Sequence, residues 1–209
     1  MRRRNHRCYD LVKRVVDAAF SSIGFVVTLP LQAVIAVVVL IVHGRPVLFR
    51  QDRPGLNGKV FRLVKFRSMR HPDAVRVTDE QRLTALGTFL RATSLDELPT
   101  LWNVVRGDMS LVGPRPLLVA YLSRYTPEQA RRHEVRPGIT GLAQVRGRNG
   151  LDWDEKLALD VEYVDTRSFR LDLRILWETI AVVLRRDGIT ADGHATMAEF
   201  RGTAGQEPS

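Results

Sequence analysis

The sequence predicts an α+β protein that is mainly helical, with a re-entrant helix-break-helix at its N-terminus, a small β-hairpin and a helical domain carrying amphipathic helices. Three observations lead to this fold class. The 25 residues from Ala18 to Val42 carry no charge, and two β-rich segments flank an Asn57-Gly58 turn. Apolar residues recur at helical spacing through much of the remainder. With 209 residues, 44% of them hydrophobic, the chain can bury one domain core.

Charge is distributed unevenly along the chain. The total is +9, but residues 1–70 carry a net +11 and residues 71–209 a net −2, so the basic excess surrounds the apolar run. The single cysteine, Cys8, excludes a disulfide framework. The five histidines lie far apart without HExxH or HxH spacing, so we expect no zinc site.

The apolar run could meet a membrane in two ways. As one helix it would measure about 38 Å and could cross a hydrocarbon layer of about 30 Å. Pro30, almost at its centre, costs about 3 kcal/mol in a helix interior. Basic residues cluster at both ends, and positive residues favour the cytoplasmic face, so a hairpin that bends at Pro30 within one leaflet satisfies both. From the residues alone, a kinked spanning helix remains an alternative.

Four residues are predicted to serve this anchor: Lys13, Arg14, Asp17 and Pro30. Lys13 and Arg14 precede Asp17 by four and three residues, which favours an ion pair at the membrane interface. We divide the chain into a basic leader (1–9), a re-entrant membrane hairpin (10–43), a cytosolic domain (44–190) and a tail (191–209). The tail is rich in small and polar residues, so we expect disorder there.

Within the domain, strands are predicted for Val47–Arg53 and Lys59–Phe66. Helices are predicted at Thr78–Arg91, from about Ser94, from Thr126-Pro127 to about His133, from Asp152 or Asp154, and from Leu171 to Arg186 with Gly188 closing the last. The last two helices carry Trp153 and Trp177 beside basic residues. Each tryptophan fits either a membrane interface or ordinary core packing.

Two adjacent carboxylates, Asp96 and Glu97, stand out in the segment SLDELPTLWNV. One interpretation is structural: Ser94 as N-cap and Glu97 three residues later form a capping box, and the helix dipole favours Asp96. Pro99 complicates this interpretation, because a proline there sacrifices a helical hydrogen bond. The other interpretation is chemical, with the carboxylates acting on a group held by nearby cations.

Several arginines are presented by stiff backbone. Arg115 lies between Pro114 and Pro116 in GDMSLVGPRPLL, and Arg136 precedes Pro-Gly in VRPGITG. Planar guanidinium groups suit bidentate recognition of phosphate. The candidate phosphate-binding residues are Lys65, Arg67, Arg91, Arg115, Arg136 and Arg148. We expect no nucleic acid partner, because neither interleaved aromatics nor a helix-turn-helix is evident.

These segments carry a family resemblance. KRVVD at Lys13–Asp17, the apolar run with Pro30, GKVFRLVKFRSM, GTFLRATSLDELPTLWNVVRGDMSLVGPRPLL and RPGITGLAQVRGRN follow in unbroken order. Together they resemble the bacterial sugar transferase family, the monotopic phosphoglycosyl transferases, from about residue 10 to 190. Without the extra transmembrane helices of long members, the chain looks like the short form of a polyprenyl-phosphate phosphoglycosyl-1-transferase.

The resemblance implies an enzyme that transfers a phosphosugar from a UDP-sugar to polyprenyl phosphate, normally undecaprenyl phosphate, and releases UMP. It implies that Asp96 is the nucleophile of a covalent aspartyl-phosphosugar intermediate and a ligand of Mg²⁺, with Glu97 as its catalytic partner. The family's re-entrant helix is broken at a Ser-Pro, where this chain has Thr28-Leu29-Pro30; the Thr28 hydroxyl is expected to bond the freed backbone.

The same resemblance implies a place in the cell inner (cytoplasmic) membrane, with the catalytic domain facing the cytoplasm at the first membrane step of a surface glycan pathway. A homodimer is compatible with it. From the residues alone, a non-catalytic membrane-anchored scaffold or nucleotide-binding regulator would use the same anchor and arginines without turnover. Transfer of a phosphatidyl group from CDP-lipids is less favoured, since the expected multi-Asp motif is missing. UMP release that depends on the lipid acceptor separates these alternatives.

Overall fold

The structure, a computed structural model, describes residues 6–71, 78–147, 151–185 and 199–202. Its helices are α1 (Arg7–His43), α2 (Asp79–Arg82), α3 (Ala85–Ala92), α4 (Leu101–Arg106), α5 (Pro127–Ala130), α6 (Leu142–Arg146), α7 (Trp153–Thr166) and α8 (Phe169–Arg185). Its strands are β1 (Leu48–Pro54), β2 (Val60–Phe66), β3 (Ser110–Val112) and β4 (Gly138–Thr140). Short 3-10 helices cover Leu56–Gly58, Leu95–Thr100, Val119–Arg124 and Arg131–Glu134. The fold is mainly helical with a small antiparallel sheet, as predicted.

The β-hairpin lies where the sequence predicts it. β1 and β2 pair in antiparallel register, with Arg50 opposite Val64, and the connecting turn places Asn57 at a φ of 53°. Left-handed backbone of this kind favours Asn. The hydroxyl of Thr100 donates to the carbonyl of Val64 at 2.9 Å, so β2 is tied to the 3-10 helix Leu95–Thr100. The parallel pairing of β3 with β4 was not predicted.

α1 is one helix of 37 residues that continues through Pro30. The predicted break is therefore not seen as a loss of helical backbone. The Thr28 hydroxyl does not bond the carbonyl that Pro30 frees, which is that of Val26. It donates instead to the carbonyl of Gly24 at 2.7 Å, with a longer contact of 3.3 Å to Phe25. The Thr28 hydroxyl therefore bonds a backbone carbonyl of its own helix, one turn earlier, as Thr commonly does inside helices.

Both ends of α1 contact the same folded domain. Near the N-terminus, Lys13 Nζ donates to Asp172 Oδ2 at 2.7 Å. At the C-terminus, His43 Nε2 lies 2.8 Å from Thr84 Oγ1. Between these points α1 packs along α4 and the 3-10 helix that precedes it. One face of α1 is thus covered by the domain along the length of the helix.

The other face of α1 is apolar and exposed. Among the described residues, α1 is the helix long and apolar enough to cross a membrane, and 17% of its apolar window is buried. Its exposed side chains include Phe20, Ile23, Val27, Val34 and Ile41. A second exposed stripe runs along α8 at Phe169, Leu173, Trp177 and Ile180. Exposed apolar surface of this extent is typical of membrane association.

The segment Thr78–Arg91, predicted as one helix, forms two, because the backbone is extended at Leu83 between α2 and α3. Thr84 begins α3 as an N-cap, its hydroxyl accepting from the Gly87 amide at 3.0 Å. Gly87 lies directly against the chain after β2, where a Cβ would come within 1.8 Å of the Ser68 carbonyl oxygen. This close approach fixes α3 against the end of the hairpin.

The second half of the chain has helices where they are predicted, but the segment predicted as one helix to about His133 is α-helical only in α5 and continues as the 3-10 helix Arg131–Glu134. Capping boxes begin two of them, Thr126 with Gln129 for α5 and Asp152 with Glu155 for α7. α8 begins two residues earlier than predicted and runs to Arg185. The predicted closing residue, Gly188, lies outside the described residues.

Trp153 packs inside the domain, with its ring centroid 5.7 Å from that of Tyr121 and 5.3 Å from that of Phe200. Phe200 belongs to the tail for which we predict disorder, yet it is 1% exposed. The prediction of disorder does not hold for Glu199–Gly202, and the rest of the tail lies outside the described residues. Trp177, by contrast, is 73% exposed on the apolar stripe of α8.

Candidate active site

The two adjacent carboxylates lie on the 3-10 helix Leu95–Thr100, and the capping box predicted for them is wrong. Ser94 has a φ of 56° and ends α3, so it cannot take the extended backbone of an N-cap. Pro99 fits inside the 3-10 helix before α4 begins. Leu95 and Leu98 pack into the apolar cluster formed with α1. The carboxylate pair is therefore held on a short rigid segment between α1 and the hairpin.

Asp96 is buried but uncommitted. Its residue exposure is 7%, and its carboxylate makes no hydrogen bond with the described part of the chain. Burial raises the pKa of Asp96 above its usual value, against the charge of Lys65, which lowers it, and with the charge of Glu97, which raises it further. A carboxylate in this condition has its oxygens available for a substrate or a metal ion.

Glu97 is in the opposite condition. Its Oε1 accepts from Lys65 Nζ at 2.7 Å and from Arg115 Nη2 at 3.2 Å. Burial alone would raise the pKa of Glu97, but the charges and hydrogen bonds of Lys65 and Arg115 outweigh it and lower that pKa to about 2. Glu97 is thus a firmly ionised residue that holds two cations beside Asp96.

The cations around the pair come from three separate segments. Lys65 lies on β2, and Arg91 on α3, where its Nε donates to Ser68 Oγ at 2.9 Å and its charge acts on Asp96. Arg115 comes from the loop after β3, and its own carbonyl accepts from Arg132 Nη2 at 2.7 Å. The structure therefore brings three of the six predicted phosphate-binding residues to the carboxylates.

A shallow surface cleft lies beside Arg115. It is lined by Pro54, Pro114, Arg115, Pro116, Arg132, His133, Val135 and Pro137. Arg132, one of the lining residues, is buried and pairs with Asp160, whose Oδ2 lies 2.6 Å from Arg132 Nη2. Burial and the neighbouring charge of Arg132 lower the pKa of His133 to about 4, so this ring is neutral at pH 7.

The residues that form this site lie within a match to a known protein family. The model described as "Bacterial sugar transferase" matches residues 8–186. The chain belongs to the bacterial sugar transferase family. It is 50% identical over 200 residues to "Uncharacterized sugar transferase EpsL" of Bacillus subtilis, covering 94% of this chain and 96% of that protein.

Two further relatives have names that state a reaction. "UDP-glucose:undecaprenyl-phosphate glucose-1-phosphate transferase" of Caulobacter vibrioides is 42% identical over 191 residues, 85% of this chain and 72% of that protein. "Undecaprenyl-phosphate galactose phosphotransferase" of Salmonella typhimurium is 39% identical over 202 residues, 87% of this chain and 42% of that protein. The match thus covers less than half of the Salmonella protein.

Three predicted phosphate-binding residues of this sugar transferase are not brought to the carboxylates. Arg67 is buried and donates to the carbonyls of His43, Gly44 and Arg45, so it fixes the end of α1. Arg136 donates to the Gly107 carbonyl at 2.9 Å, and the charges that act on it come from the N-terminal part of α1. Arg148 lies outside the described residues. An arginine beside the motif and an arginine in the site look alike in sequence.

The predicted anchor residues form a buried network. Lys13 pairs with Asp17 at 3.4 Å, as the spacing predicts, but also with Asp172 on α8. Asp17 accepts from the Ser110 hydroxyl at 2.5 Å and is 5% exposed, so it lies inside the protein instead of at an exposed interface. Arg14 does not join the pair; it donates to the carbonyls at the end of α4.

Sequence reasoning missed Arg53, which the structure places next to the cleft. Its Nη1 donates to the Pro116 carbonyl at 3.1 Å. A signal was present, because Arg53-Pro54-Gly55 repeats the Arg-Pro-Gly of residues 136–138. Arg132 and His133 were missed as well, and no local pattern marks them.

The residues present fit a magnesium ion of the kind that phosphate substrates carry. No three His, Cys, Asp or Glu side chains come together as a metal cluster in the described ranges. Mg²⁺ usually binds one or two carboxylates plus substrate phosphates. Asp96 has uncommitted oxygens, whereas Glu97 Oε1 already accepts from Lys65 and Arg115. Asp96 is therefore the residue that would hold the ion.

Proposed function

We propose that this chain transfers a phosphosugar from a UDP-sugar to polyprenyl phosphate, the undecaprenyl form by analogy with the named relatives, and releases UMP. The observation that carries the proposal is the asymmetry of the two carboxylates. Asp96 is buried, uncommitted and raised in pKa, while Glu97 beside it is clamped by Lys65 and Arg115. A nucleophile held among ordered cations suits attack on a diphosphate.

In the first step, an Asp96 carboxylate oxygen attacks the β-phosphorus of the UDP-sugar. A new bond forms between that oxygen and phosphorus, the anhydride bond breaks, and UMP leaves with the bonding electrons. The sugar phosphate is then attached to Asp96 as an acyl phosphate. In the second step, an oxygen of the lipid phosphate attacks the same phosphorus and frees the Asp96 carboxylate. One anhydride is exchanged for another, so no ATP is required.

Three cations support this chemistry. Lys65, Arg91 and Arg115 lie around the carboxylates and offset the charge that repels a diphosphate from Asp96. Asp96 would hold Mg²⁺, and the ion would supply further charge neutralisation. Glu97, with its pKa lowered to about 2, is a poor proton acceptor, so we assign it the positioning of Lys65 and Arg115 instead of base catalysis.

We also propose that α1 enters and leaves the membrane on one side, with the domain in the cytoplasm. Support comes from both ends of α1, which contact one polar domain through Lys13 and His43. A straight helix of 37 residues would be about 55 Å long, so a spanning helix would carry its ends to opposite faces. The exposed stripe of α8 would lie at the same interface, at the height of the lipid phosphate.

A trapping experiment tests the covalent step. Purified full-length protein is incubated with radiolabelled UDP-sugar and Mg²⁺ without lipid acceptor, using UDP-glucose and UDP-galactose as donors. We expect protein-bound phosphosugar and one UMP per adduct in the wild type, and neither in Asp96→Asn. Asp52→Asn is the matched control, since Asp52 is 59% exposed and pairs with Arg62 on the hairpin. Turnover by Asp96→Asn at the wild-type rate would contradict the proposal.

A further inference from the structure

We propose that Arg53 is a donor-positioning residue: with Arg115 it forms an anion subsite at the edge of the cleft, which binds the nucleotide-side phosphate of the donor and then the phosphate of departing UMP. This inference rests on the proposed function. It assigns the binding of the nucleotide-side phosphate to Arg53 and Arg115. It concerns the leaving group, whereas Asp96 acts at the other phosphorus.

Position is the first argument. Arg53 lies at the end of β1, immediately before Pro54, which lines the cleft. Its Nη1 donates to the Pro116 carbonyl at 3.1 Å, so the guanidinium lies against the loop that presents Arg115. Arg115 reaches from the same loop to Glu97 at 3.2 Å. The cleft therefore adjoins the carboxylate pair, with Arg115 between the two.

Charge is the second argument. Arg53 has no carboxylate partner among the described residues, and its buried Nε makes no hydrogen bond. Its Nη2 meets only the neutral side chain of Gln51, at 2.5 Å. Burial, and then the positive charge of Arg115, lower the pKa of Arg53 to about 10, which leaves it charged at pH 7. A cation held this way without an anion is unfavourable until an anion arrives.

The neighbouring arginines show the contrast. Arg132, also at the cleft, is neutralised by Asp160 at 2.6 Å. Arg67 is covered by three backbone carbonyls. Arg115 shares its carboxylate partner, Glu97, with Lys65, so one negative charge faces two positive charges there. Arg53 and Arg115 thus present positive charge side by side at the edge of the cleft. A phosphate group is the anion that two guanidinium forks recognise.

The test measures UMP binding, since UMP is both product and probe. In purified full-length enzyme, Arg53→Gln should raise the Kd of UMP by roughly 10- to 100-fold, which is the loss of affinity expected for one contact to a charged group. Arg53→Lys should recover part of this loss, because it keeps the charge without the planar fork. Arg62→Gln, on the same hairpin and 66% exposed, is the matched control and should bind UMP like the wild type.

A purely structural role for Arg53 predicts a different result. It would lower the Tm of Arg53→Gln and leave the affinity for UMP unchanged in the folded fraction. A subsite role predicts that Arg53→Gln melts at or above the wild-type Tm, because an unpaired charge is removed, and loses the rise in Tm that UMP produces. Wild-type UMP affinity in Arg53→Gln overturns the inference.

The two proposals fail separately. Weakened UMP binding in Arg53→Gln without any protein-bound phosphosugar in the wild type would leave the subsite standing and refute the covalent mechanism. A trapped adduct in the wild type, with unchanged UMP affinity in Arg53→Gln, would leave the mechanism standing and refute the subsite. In the steady state, the subsite predicts a larger inhibition constant for UMP in Arg53→Gln but an unchanged one in Arg62→Gln.

Discussion

At the scale of single residues, neighbours in sequence acquire opposite properties. Asp96 and Glu97 are adjacent, yet burial raises the pKa of one while Lys65 and Arg115 lower that of the other to about 2. The difference arises because successive residues of a helix point in different directions: Asp96 is buried without a hydrogen-bond partner among the described residues, and Glu97 points toward two cations. Pairs of titratable groups separated in this way commonly divide chemical roles between them.

Glu97→Gln should remove a pH-dependent part of the stability. The pKa of Glu97 falls from 4.5 to about 2 on folding, so the unfolded chain binds more protons between these values. The stabilisation, up to roughly 3 kcal/mol, is present above pH 4.5 and is lost as pH falls toward 2. We expect wild type and Glu97→Gln to differ in unfolding free energy at pH 6 and to converge near pH 2, measured by denaturant titration.

Asp96→Asn serves as the control of opposite sign. Because burial raises the pKa of Asp96, its ionised form destabilises the folded state above its unfolded pKa of 3.8. The Asn variant should therefore be more stable than the wild type at pH 7, and the gain should vanish as pH falls below 3.8. A loss of stability in Asp96→Asn at pH 7 would mean that the folded state does not destabilise the ionised form of Asp96.

At the scale of elements, local chemistry decides where helices begin and distant contacts decide where they stop. Thr126 and Asp152 were recognised as N-caps because a capping box needs only four consecutive residues. Ser94 offered the same pattern, yet it adopts left-handed backbone to end α3. Within α3, Gly87 lies against the Ser68 backbone from another part of the chain, a contact that no four-residue pattern contains.

Substitutions at Ser94 test this assignment. Ser94→Gly should raise stability by up to about 1 kcal/mol, since glycine adopts a positive φ without steric cost, whereas Ser94→Val should lower it by about 1–2 kcal/mol. Ser123→Gly, in the 3-10 helix Val119–Arg124, is the control and should destabilise instead. Thermal unfolding in detergent provides the comparison. If both glycine variants shift the Tm in the same direction, the left-handed role of Ser94 is wrong.

At the scale of the whole molecule, α1 is as much a part of the fold as an anchor. Its buried face carries Asp17, Ser21, Gln32, Ile35 and Val39, polar near the N-terminus and apolar toward the hairpin. Its exposed face is almost wholly apolar. A helix of this kind satisfies a membrane on one side and a polar domain on the other. With α1 inserted from one side, as we propose, the packing of the domain on α1 would set how deep the carboxylates lie relative to the lipid phosphates.

The topology can be tested with the single cysteine of the chain. Cys8 is exposed at the start of α1, and Lys59 is exposed on the hairpin beyond it. A membrane-impermeant maleimide should label Cys8, and a Cys8→Ser, Lys59→Cys variant, in inverted membrane vesicles but not in intact spheroplasts. Labelling of the two positions from opposite sides would establish a spanning helix and contradict the re-entrant arrangement.

The sequence by itself determined the long apolar helix, the β-hairpin, the capped helices and the presence of the Asp96-Glu97 pair. These follow from local pattern, because turn residues, caps and hydrophobic spacing act over a few neighbouring positions. Only the tertiary structure decided that Lys65, Arg91 and Arg115 surround the carboxylates. It also decided that Arg67 fastens the end of α1, that Arg53 contacts the loop of Arg115, and that Asp96, unlike Glu97, makes no hydrogen bond with the described residues. Those properties depend on burial and on partners many residues away. Neither can be read from the identity of an arginine or a carboxylate residue in the sequence.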